Sequence, residues 1–251
     1  MENEALVRQL LPEHAYQALV EFLDHLLSQW SNVVAVLLTG SYVHGGASKN
    51  SDLDIYCILE DSDVRERGNT WLHGVEVEYF INPVRQVEEY FHNERGSSPH
   101  TAHMVSHSVT LHSEGKWLEV LRQKAKEELT TPREELSDLG KELVKYGLDD
   151  LLKDLYDAQE TGDPFVFRLV SSKLTELVLD VFCQVRGSYA QKPKRLTEQL
   201  QAIDPVFCKL FGVAVVTNTA EEVEPVVRYV ESLIGGSRVK EWTLRTPCTF
   251  L

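Results

Sequence analysis

Basic side chains are scarce in this sequence. Among its 251 residues, 25 are lysine or arginine and 39 are aspartate or glutamate, which gives a formal net charge of −14 at pH 7. Proteins bind long nucleic acids mainly by replacing phosphate counterions with lysine and arginine side chains. The charge therefore disfavours DNA or RNA as a partner, and an acidic surface suits a cationic small molecule better.

Long apolar runs are also missing. No stretch approaches eighteen consecutive apolar residues, and the opening MENEALVRQL does not place an apolar run after a basic segment. A membrane-spanning helix needs about twenty apolar residues, and an export signal needs that basic-then-apolar order. We expect a cytoplasmic protein without a membrane span, and its 43% hydrophobic residues are enough for a proper core.

Cysteines are few and widely separated. They are Cys57, Cys183, Cys208 and Cys248. None has the CxxC spacing of a zinc or redox site. Cys57 and Cys183 lie in apolar runs, where a thiol usually packs as a small hydrophobic group. We therefore predict neither a disulfide nor a zinc site.

Four histidines lie close together in a polar stretch. They are His100, His103, His107 and His112. Spacings of three and four residues would place such side chains on one face of a helix, where a transition metal could bind. The stretch is rich in serine and threonine, however, and no cysteine or carboxylate pattern accompanies the histidines. We therefore assign no metal site to them.

The patterning of apolar residues divides the chain near residue 125. Before that point, three segments have the apolar or alternating runs of β-strands, and a fourth is a weaker candidate. They are VVAVLLTG (33–40), SDLDIYCILE (51–60), GVEVEYFINP (74–83) and SHSVTLHSEG (106–115). Helices are predicted at residues 13–30 and after Pro83, while DSDVRERGN (61–69) has the composition of a charged linker.

Beyond residue 125 the pattern is helical throughout, and prolines mark the predicted helix starts. One helix is predicted from Thr131-Pro132 to about Gln159 and another from Asp163-Pro164 to about Val185, with shorter ones from Pro193 and Pro205. A strand-rich part followed by a run of helices indicates an α+β fold in two domains. We predict an α+β domain over residues 1–125 and an all-helical domain over residues 126–251.

Four carboxylates are the main candidates for chemistry. Asp52 and Asp54 lie two residues apart in a predicted strand, so they point to the same face. Two neighbouring carboxylates repel each other unless a cation lies between them, and Mg²⁺ prefers oxygen ligands. Glu76 and Glu78 share a face of the 74–83 strand in the same way. If the two strands are neighbours, a third carboxylate completes a metal site for displacement at phosphorus.

A glycine-containing loop precedes these carboxylates. Gly40 and Ser41 follow the first predicted strand, and Gly45-Gly46 lies in the same loop. Glycine lets backbone N–H groups approach a phosphate closely, and a serine hydroxyl adds a donor. Neither the GxxxxGK[ST] nor the GxGxxG spacing is present. The loop and the carboxylates together indicate phosphoryl or nucleotidyl transfer.

These residues carry a family resemblance. Gly40-Ser41, followed ten residues later by Ser51-Asp52-Leu53-Asp54, resembles the GS…[SD]-D-x-[DE] signature of the DNA polymerase β-like nucleotidyltransferase superfamily. The chain is most similar to the small bacterial branch that contains the aminoglycoside and lincosamide nucleotidyltransferases. The resemblance implies a nucleotidyltransferase-type mixed β-sheet with flanking helices, followed by an all-α C-terminal helical bundle. Its motifs cover about residues 33–81.

The resemblance also implies roles for single residues. Gly40 and Ser41 would contact a nucleoside triphosphate, expected to be ATP, and Asp52 and Asp54 would bind Mg²⁺ as catalytic ligands. At the third carboxylate position we favour Glu76, because a V-E-V-x-[FY] pattern places the family's acid there. Glu78 is the alternative.

Lys194 is a further candidate contact for the triphosphate. It belongs to a basic group with Lys192 and Arg195 that either approaches the phosphates or forms an exposed basic turn. No motif in the sequence identifies the base that would activate the acceptor.

The function implied by the resemblance is transfer of a nucleoside monophosphate, AMP from ATP, to a hydroxyl of a small-molecule acceptor, with release of pyrophosphate. An aminoglycoside-like antibiotic is the acceptor suggested by the branch. The alternative is a nucleotide-binding or antitoxin-like module that binds or adenylylates a protein partner. The sequence does not identify the acceptor, and it is compatible with a homodimer.

Overall fold

The chain folds into two compact units. The computed structural model describes residues 1–95, 98–239, 241 and 243, so Cys248 lies outside the described residues. The first unit is Met1–Thr131 and the second begins at Pro132. The boundary predicted near residue 125 falls instead inside a helix, Trp117–Thr130, whose Ala125 is fully buried in the core of the first unit.

A mixed five-stranded sheet forms the centre of the first unit. Its strands are β1 (Val33–Thr39), β2 (Leu53–Leu59), β3 (Glu66–Leu72), β4 (Val75–Pro83) and β5 (Val109–Ser113). They lie in the order β3-β4-β2-β1-β5. Among these five described strands, β2 and β4 pair in parallel and the other neighbours pair antiparallel. All four segments predicted as strands are confirmed.

Strand β3 was not expected. It begins within the segment that the sequence analysis interpreted as a charged linker, and that interpretation is wrong. Its residues ERGNTWL alternate between exposed and partly buried positions, as an edge strand with one solvated face does. A tight turn at His73 and Gly74, both with positive φ (50° and 77°), joins β3 to β4 as a hairpin.

Helices cover both faces of the sheet. In the described part of the first unit they are α1 (Glu4–Leu10), α2 (Glu13–Gln29), α3 (Ser41–His44), α4 (Val84–Asn93), α5 (His100–Ser106) and α6 (Trp117–Thr130). Side chains of α1 and α2 pack with Ile55 and Val77 on one face. Side chains of α4, α5 and α6 pack with Tyr56 and Ile58 on the other face. The alternation of strand residues thus supplies two separate cores.

The second unit consists of helices in its described residues. They are α7 (Asp138–Thr161), α8 (Pro164–Val185), α9 (Pro193–Ile203), α10 (Pro205–Val216) and α11 (Ala220–Leu233). Their common core contains the stacked rings of Phe182 and Phe207, with centroids 3.6 Å apart. The predicted starts at Pro164, Pro193 and Pro205 are confirmed. No helix in the described parts of either unit is long and apolar enough to cross a membrane.

The helix predicted from Thr131 starts later than expected. Residues 132–137 are not helical, and α7 begins after Ser137, whose hydroxyl accepts a hydrogen bond from the Gly140 amide. Contacts with α8 hold the preceding segment in an irregular conformation, because the Arg133 guanidinium donates to Asp180 at 2.7 Å. Side-chain capping and this ion pair therefore override the start signal of Pro132.

Candidate active site

Gly40 and Asp54 are packed against each other where β1 ends. Thr39 at the end of β1 lies opposite Asp54 in β2. Gly40 has φ +75°, and a Cβ atom added there would lie 1.7 Å from Oδ2 of Asp54. Both the backbone conformation and the space therefore require glycine. The glycine loop and the first carboxylate strand form one local structure.

Three carboxylates meet beside this glycine. Asp54 lies opposite Glu78 in the parallel pairing of β2 and β4, and Asp52 immediately precedes β2. Oxygen atoms of Asp52, Asp54 and Glu78 all lie within 4.8 Å of one another, and all three residues are partly buried. We call these three residues the acidic trio. Oxygen-only ligands at this spacing fit a hard divalent cation such as Mg²⁺.

The acidic trio contains Glu78, whereas the sequence analysis favoured Glu76. The two glutamates share a face of β4, but the strand pairing places Glu78 level with Asp54. Glu76 lies opposite Trp71 of β3, and its carboxylate accepts a hydrogen bond from the Asn69 side chain. The geometry thus supports the alternative, Glu78, as the third member.

A cation from the edge strand contacts the acidic trio. Nη2 of Arg67 in β3 donates to Oε1 of Glu78 at 2.7 Å. The Arg67 guanidinium carbon also lies 4.9 Å from the ring centroid of Phe80. Sequence reasoning missed this residue, because Arg67 is in the segment taken as a linker. Arg67 would have been found as a candidate if residues 66–72 had been recognised as an edge strand that pairs with β4.

Ser41 and Tyr42 begin the short helix α3 after Gly40. Oγ of Ser41 is buried and has no hydrogen-bond partner among the described residues. An unpaired buried hydroxyl is costly unless a ligand or water satisfies it, so this atom fits a ligand acceptor such as a phosphate oxygen. Burial, and secondarily the negative charge of Asp52, raises the pKa of the Tyr42 phenol.

A cavity of about 720 Å³ opens beside Asp52. Its lining combines aromatic rings, Tyr42 and the exposed Trp71, with charged groups that include Lys49 and Glu76. Cavities of this size, with apolar surface and a few polar groups, are typical of small-molecule sites.

The sequence of this region matches a known family. Residues 19–109 match the nucleotidyltransferase domain family. This segment is a nucleotidyltransferase domain. The match covers all three members of the acidic trio and confirms the family resemblance inferred from the Gly40-Ser41 and Asp52-Asp54 motifs. The match supports a transferase activity for this domain.

Comparisons of the whole chain with other proteins add little information about its function. No curated protein matches the chain by sequence. Among solved structures, a crystal structure of a nucleotidyltransferase-like protein from Exiguobacterium sibiricum 255-15 shares 12% sequence identity with this chain. The similarity covers 87% of this chain and 73% of that one, with a TM-score of 0.49.

Some of the histidines to which no site was assigned, and the predicted phosphate contact Lys194, also have defined places. In the nucleotidyltransferase domain, the rings of His103 and His107 stack with centroids 4.6 Å apart, and the His44 ring lies 5.0 Å from His103. In the second unit, Lys194 is an exposed residue in the first turn of α9. Its predicted contact with the triphosphate stays a prediction.

Proposed function

We propose that this chain is a magnesium-dependent nucleotidyltransferase that transfers AMP from ATP to a hydroxyl group of a small-molecule acceptor. The observation that carries the proposal is the acidic trio beside Gly40, within a nucleotidyltransferase domain. Three carboxylates gathered at one point repel one another when all are ionised. A divalent cation bound between them offsets this repulsion.

The proposed reaction forms a bond between the acceptor oxygen and the α-phosphorus of ATP. The bond from that phosphorus to the α–β bridging oxygen breaks, pyrophosphate leaves with its electron pair, and the proton of the acceptor hydroxyl is released to water. Bound Mg²⁺ would neutralise phosphate charge and lower the pKa of the acceptor hydroxyl.

The residues of the domain would hold the reactants in place. Asp52, Asp54 and Glu78 would bind the metal ion, and Oγ of Ser41 would donate to a phosphate oxygen. Gly40 would let the backbone approach the phosphates closely. Such positioning supplies much of the catalysis in phosphoryl-group transfer.

We place the acceptor in the cavity beside Asp52. Exposed Trp71 and the neighbouring Tyr42 offer ring surfaces, and Asp52 and Glu76 offer negative charge. A hydroxyl compound that carries amino groups, such as an aminoglycoside, has the complementary charge. The formal charge of −14 would also attract a cationic acceptor.

Labelling with ATP that carries a radioactive α-phosphate tests the function. The protein, Mg²⁺ and labelled ATP are incubated with pools of aminoglycosides and, in parallel, with protein extracts. We expect Mg²⁺-dependent transfer of label to a small molecule and stoichiometric release of pyrophosphate. Label only on proteins would favour the protein-adenylylating alternative. No transfer to any pool, with no Mg²⁺-dependent nucleotide binding, would refute the proposal.

Matched substitutions of the two glutamates test the third ligand. Glu78→Gln removes a carboxylate charge from the acidic trio, so we expect at least about a 100-fold loss of transferase activity and weaker metal binding. Glu76→Gln removes the same charge two residues away, where the side chain is bonded to Asn69, and we expect a change of less than about tenfold. The opposite ranking would restore Glu76 as the ligand.

A further inference from the structure

Arg67 is a cation that contacts a member of the acidic trio directly. Its guanidinium donates to Glu78 at 2.7 Å and lies over the Phe80 ring. The side chain of Arg67 is 70% exposed, whereas that of Glu78 is 26% exposed. A mostly solvated arginine is thus held against a partly buried carboxylate that belongs to the acidic trio.

The strand register explains why these two side chains meet. Arg67 lies opposite Phe80 and Asn69 lies opposite Glu78 in the antiparallel pairing of β3 and β4. Arg67 is therefore a diagonal neighbour of Glu78 on the same face of the sheet, a position from which a long side chain can reach. The hairpin turn at His73 and Gly74 fixes this register.

The acidic trio needs positive charge when no metal ion is bound. Its oxygen atoms lie within 4.8 Å of one another, so three ionised carboxylates repel strongly. Arg67 supplies one positive charge to one of them. An ion pair with such an exposed arginine is weak, because water screens it and the long side chain gains freedom when it is released. A divalent ion shared by three carboxylates is the stronger partner.

We propose that Arg67 is the counter-cation that Glu78 exchanges for a divalent metal ion. In the metal-free protein, Arg67 neutralises Glu78 and orients its carboxylate on the sheet face. When the metal ion binds, Glu78 gives up the guanidinium and becomes a ligand. Arg67 is then a positioning residue that lowers the affinity of the empty site for free metal. This inference rests on the proposed metal-binding role of the acidic trio.

A purely structural role for Arg67 predicts something different. If the guanidinium only stabilises the edge strand through Phe80, its removal lowers the stability of the protein and leaves metal affinity unchanged. Under the exchange proposal its removal tightens metal binding. The direction of the change in metal affinity therefore separates the two roles, independently of catalytic activity.

Direct titration with Mn²⁺ in the absence of nucleotide tests the exchange. Free Mn²⁺ is measured by electron paramagnetic resonance, and folding of each variant is checked by circular dichroism. Arg67→Met keeps an unbranched apolar chain over Phe80 but removes the charge. We expect its Kd for Mn²⁺ to fall roughly two- to fivefold, the range that corresponds to loss of one exposed ion pair.

Arg65→Met is the matched control. Arg65 is an exposed arginine just before β3 that donates to the Tyr90 hydroxyl and has no described contact with a carboxylate. Its removal changes the net charge by the same amount, so we expect Mn²⁺ affinity to change by less than the Arg67→Met effect. An equal change in both variants would mean that only overall charge matters and would overturn the proposal.

A double-mutant cycle assigns the effect to Glu78. In a Glu78→Gln background, Arg67→Met should no longer tighten Mn²⁺ binding, because the partner of the exchange is missing. If Glu78→Gln binds too weakly to titrate, the comparison of the two arginine variants decides alone.

Three further outcomes contradict the exchange. Unchanged or weaker Mn²⁺ binding by Arg67→Met, with normal binding and activity in the unsubstituted protein, overturns the role of Arg67 and leaves the proposed function intact. Persistence of the tightening in the Glu78→Gln background also overturns it. Failure of the unsubstituted protein to bind Mn²⁺ overturns the exchange together with the metal site.

Discussion

Gly40 brings the glycine loop and the Asp54 carboxylate into direct contact in the candidate site. The residue follows β1 with a φ of +75°, and its missing side chain leaves the space that the Asp54 carboxylate occupies. The glycine loop and Asp54 therefore cannot vary independently. A side chain at residue 40 would displace either the loop or Asp54, and both are needed for the proposed chemistry.

Gly40→Ala should disrupt the site. The added Cβ would overlap Asp54 Oδ2, so we expect Mn²⁺ binding to weaken at least about tenfold and stability to fall by about 2–4 kcal/mol from combined strain and overlap. Gly45→Ala is the control, since Gly45 has φ +76° but open space around its Cβ position. It should show only the cost of backbone strain. Thermal unfolding measures the stability of each variant, and Mn²⁺ titration measures its metal affinity. Equal losses in Gly40→Ala and Gly45→Ala would contradict the packing argument.

The identity of the third carboxylate shows what the sequence could and could not predict. The shared face of Asp52 and Asp54 followed from strand alternation alone. The same rule placed Glu76 and Glu78 on one face but could not choose between them. That choice depends on the register between β2 and β4, which are joined in parallel by a connection that contains β3. Long-range register is not encoded in any local pattern.

Edge strand β3 was missed for a related reason. Its residues ERGNTWL lack a continuous apolar face, because only one neighbour pairs with it and much of it is solvated. Local composition of this kind is typical of a linker as much as of an edge strand. The consequence for the site was direct, since the missed strand supplies Arg67 and Trp71.

In the second unit, Asp204 joins three helices. Its side chain caps α10 by accepting from the amides of Val206 and Phe207. The same carboxylate accepts from the Tyr229 hydroxyl in α11 at 2.6 Å and from the Arg186 guanidinium at the end of α8 at 2.8 Å. The hydrogen bond from Tyr229, with those from the Phe207 amide and Arg186, lowers the pKa of Asp204.

Asp204→Asn should destabilise the protein in a pH-dependent way. At pH 7 we expect a loss of about 1–3 kcal/mol, because the charged acceptor of several hydrogen bonds is removed from a buried position. The folded pKa lies below the unfolded value, so the carboxylate stabilises the fold fully above about pH 4. That stabilisation is lost as the pH falls through the lowered folded pKa.

The difference in unfolding free energy between the unsubstituted protein and Asp204→Asn should therefore shrink as the pH falls from 4 toward 3. Urea unfolding followed by circular dichroism at several pH values measures it. Ser137→Ala is the control, because Ser137 caps α7 with an uncharged hydroxyl. Its cost of about 1 kcal/mol should not depend on pH through the cap itself. A constant difference for Asp204→Asn down to pH 3 would show that its charge is not the stabilising feature.

The complete candidate metal site lies in one of the two units. Gly40, Ser41 and the acidic trio all belong to Met1–Thr131, which has its own sheet and two apolar cores. The helices of the second unit have a separate core. The proposed metal binding therefore involves residues of the first unit alone, whereas any role of Lys194 has to be tested in the full chain.

A fragment of residues 1–131 should fold cooperatively and bind Mn²⁺ with the affinity of the full chain, because every member of the acidic trio and its supporting strands are retained.

A fragment that ends at residue 125 is the matched comparison. It loses the last turn of α6, including Leu129, which packs on the core, and Glu128, which pairs with Arg95. We expect it to be less stable by at least about 1 kcal/mol from the lost apolar burial. Urea unfolding and Mn²⁺ titration of both fragments test the boundary, and equal stabilities would move the end of the folded unit back to residue 125.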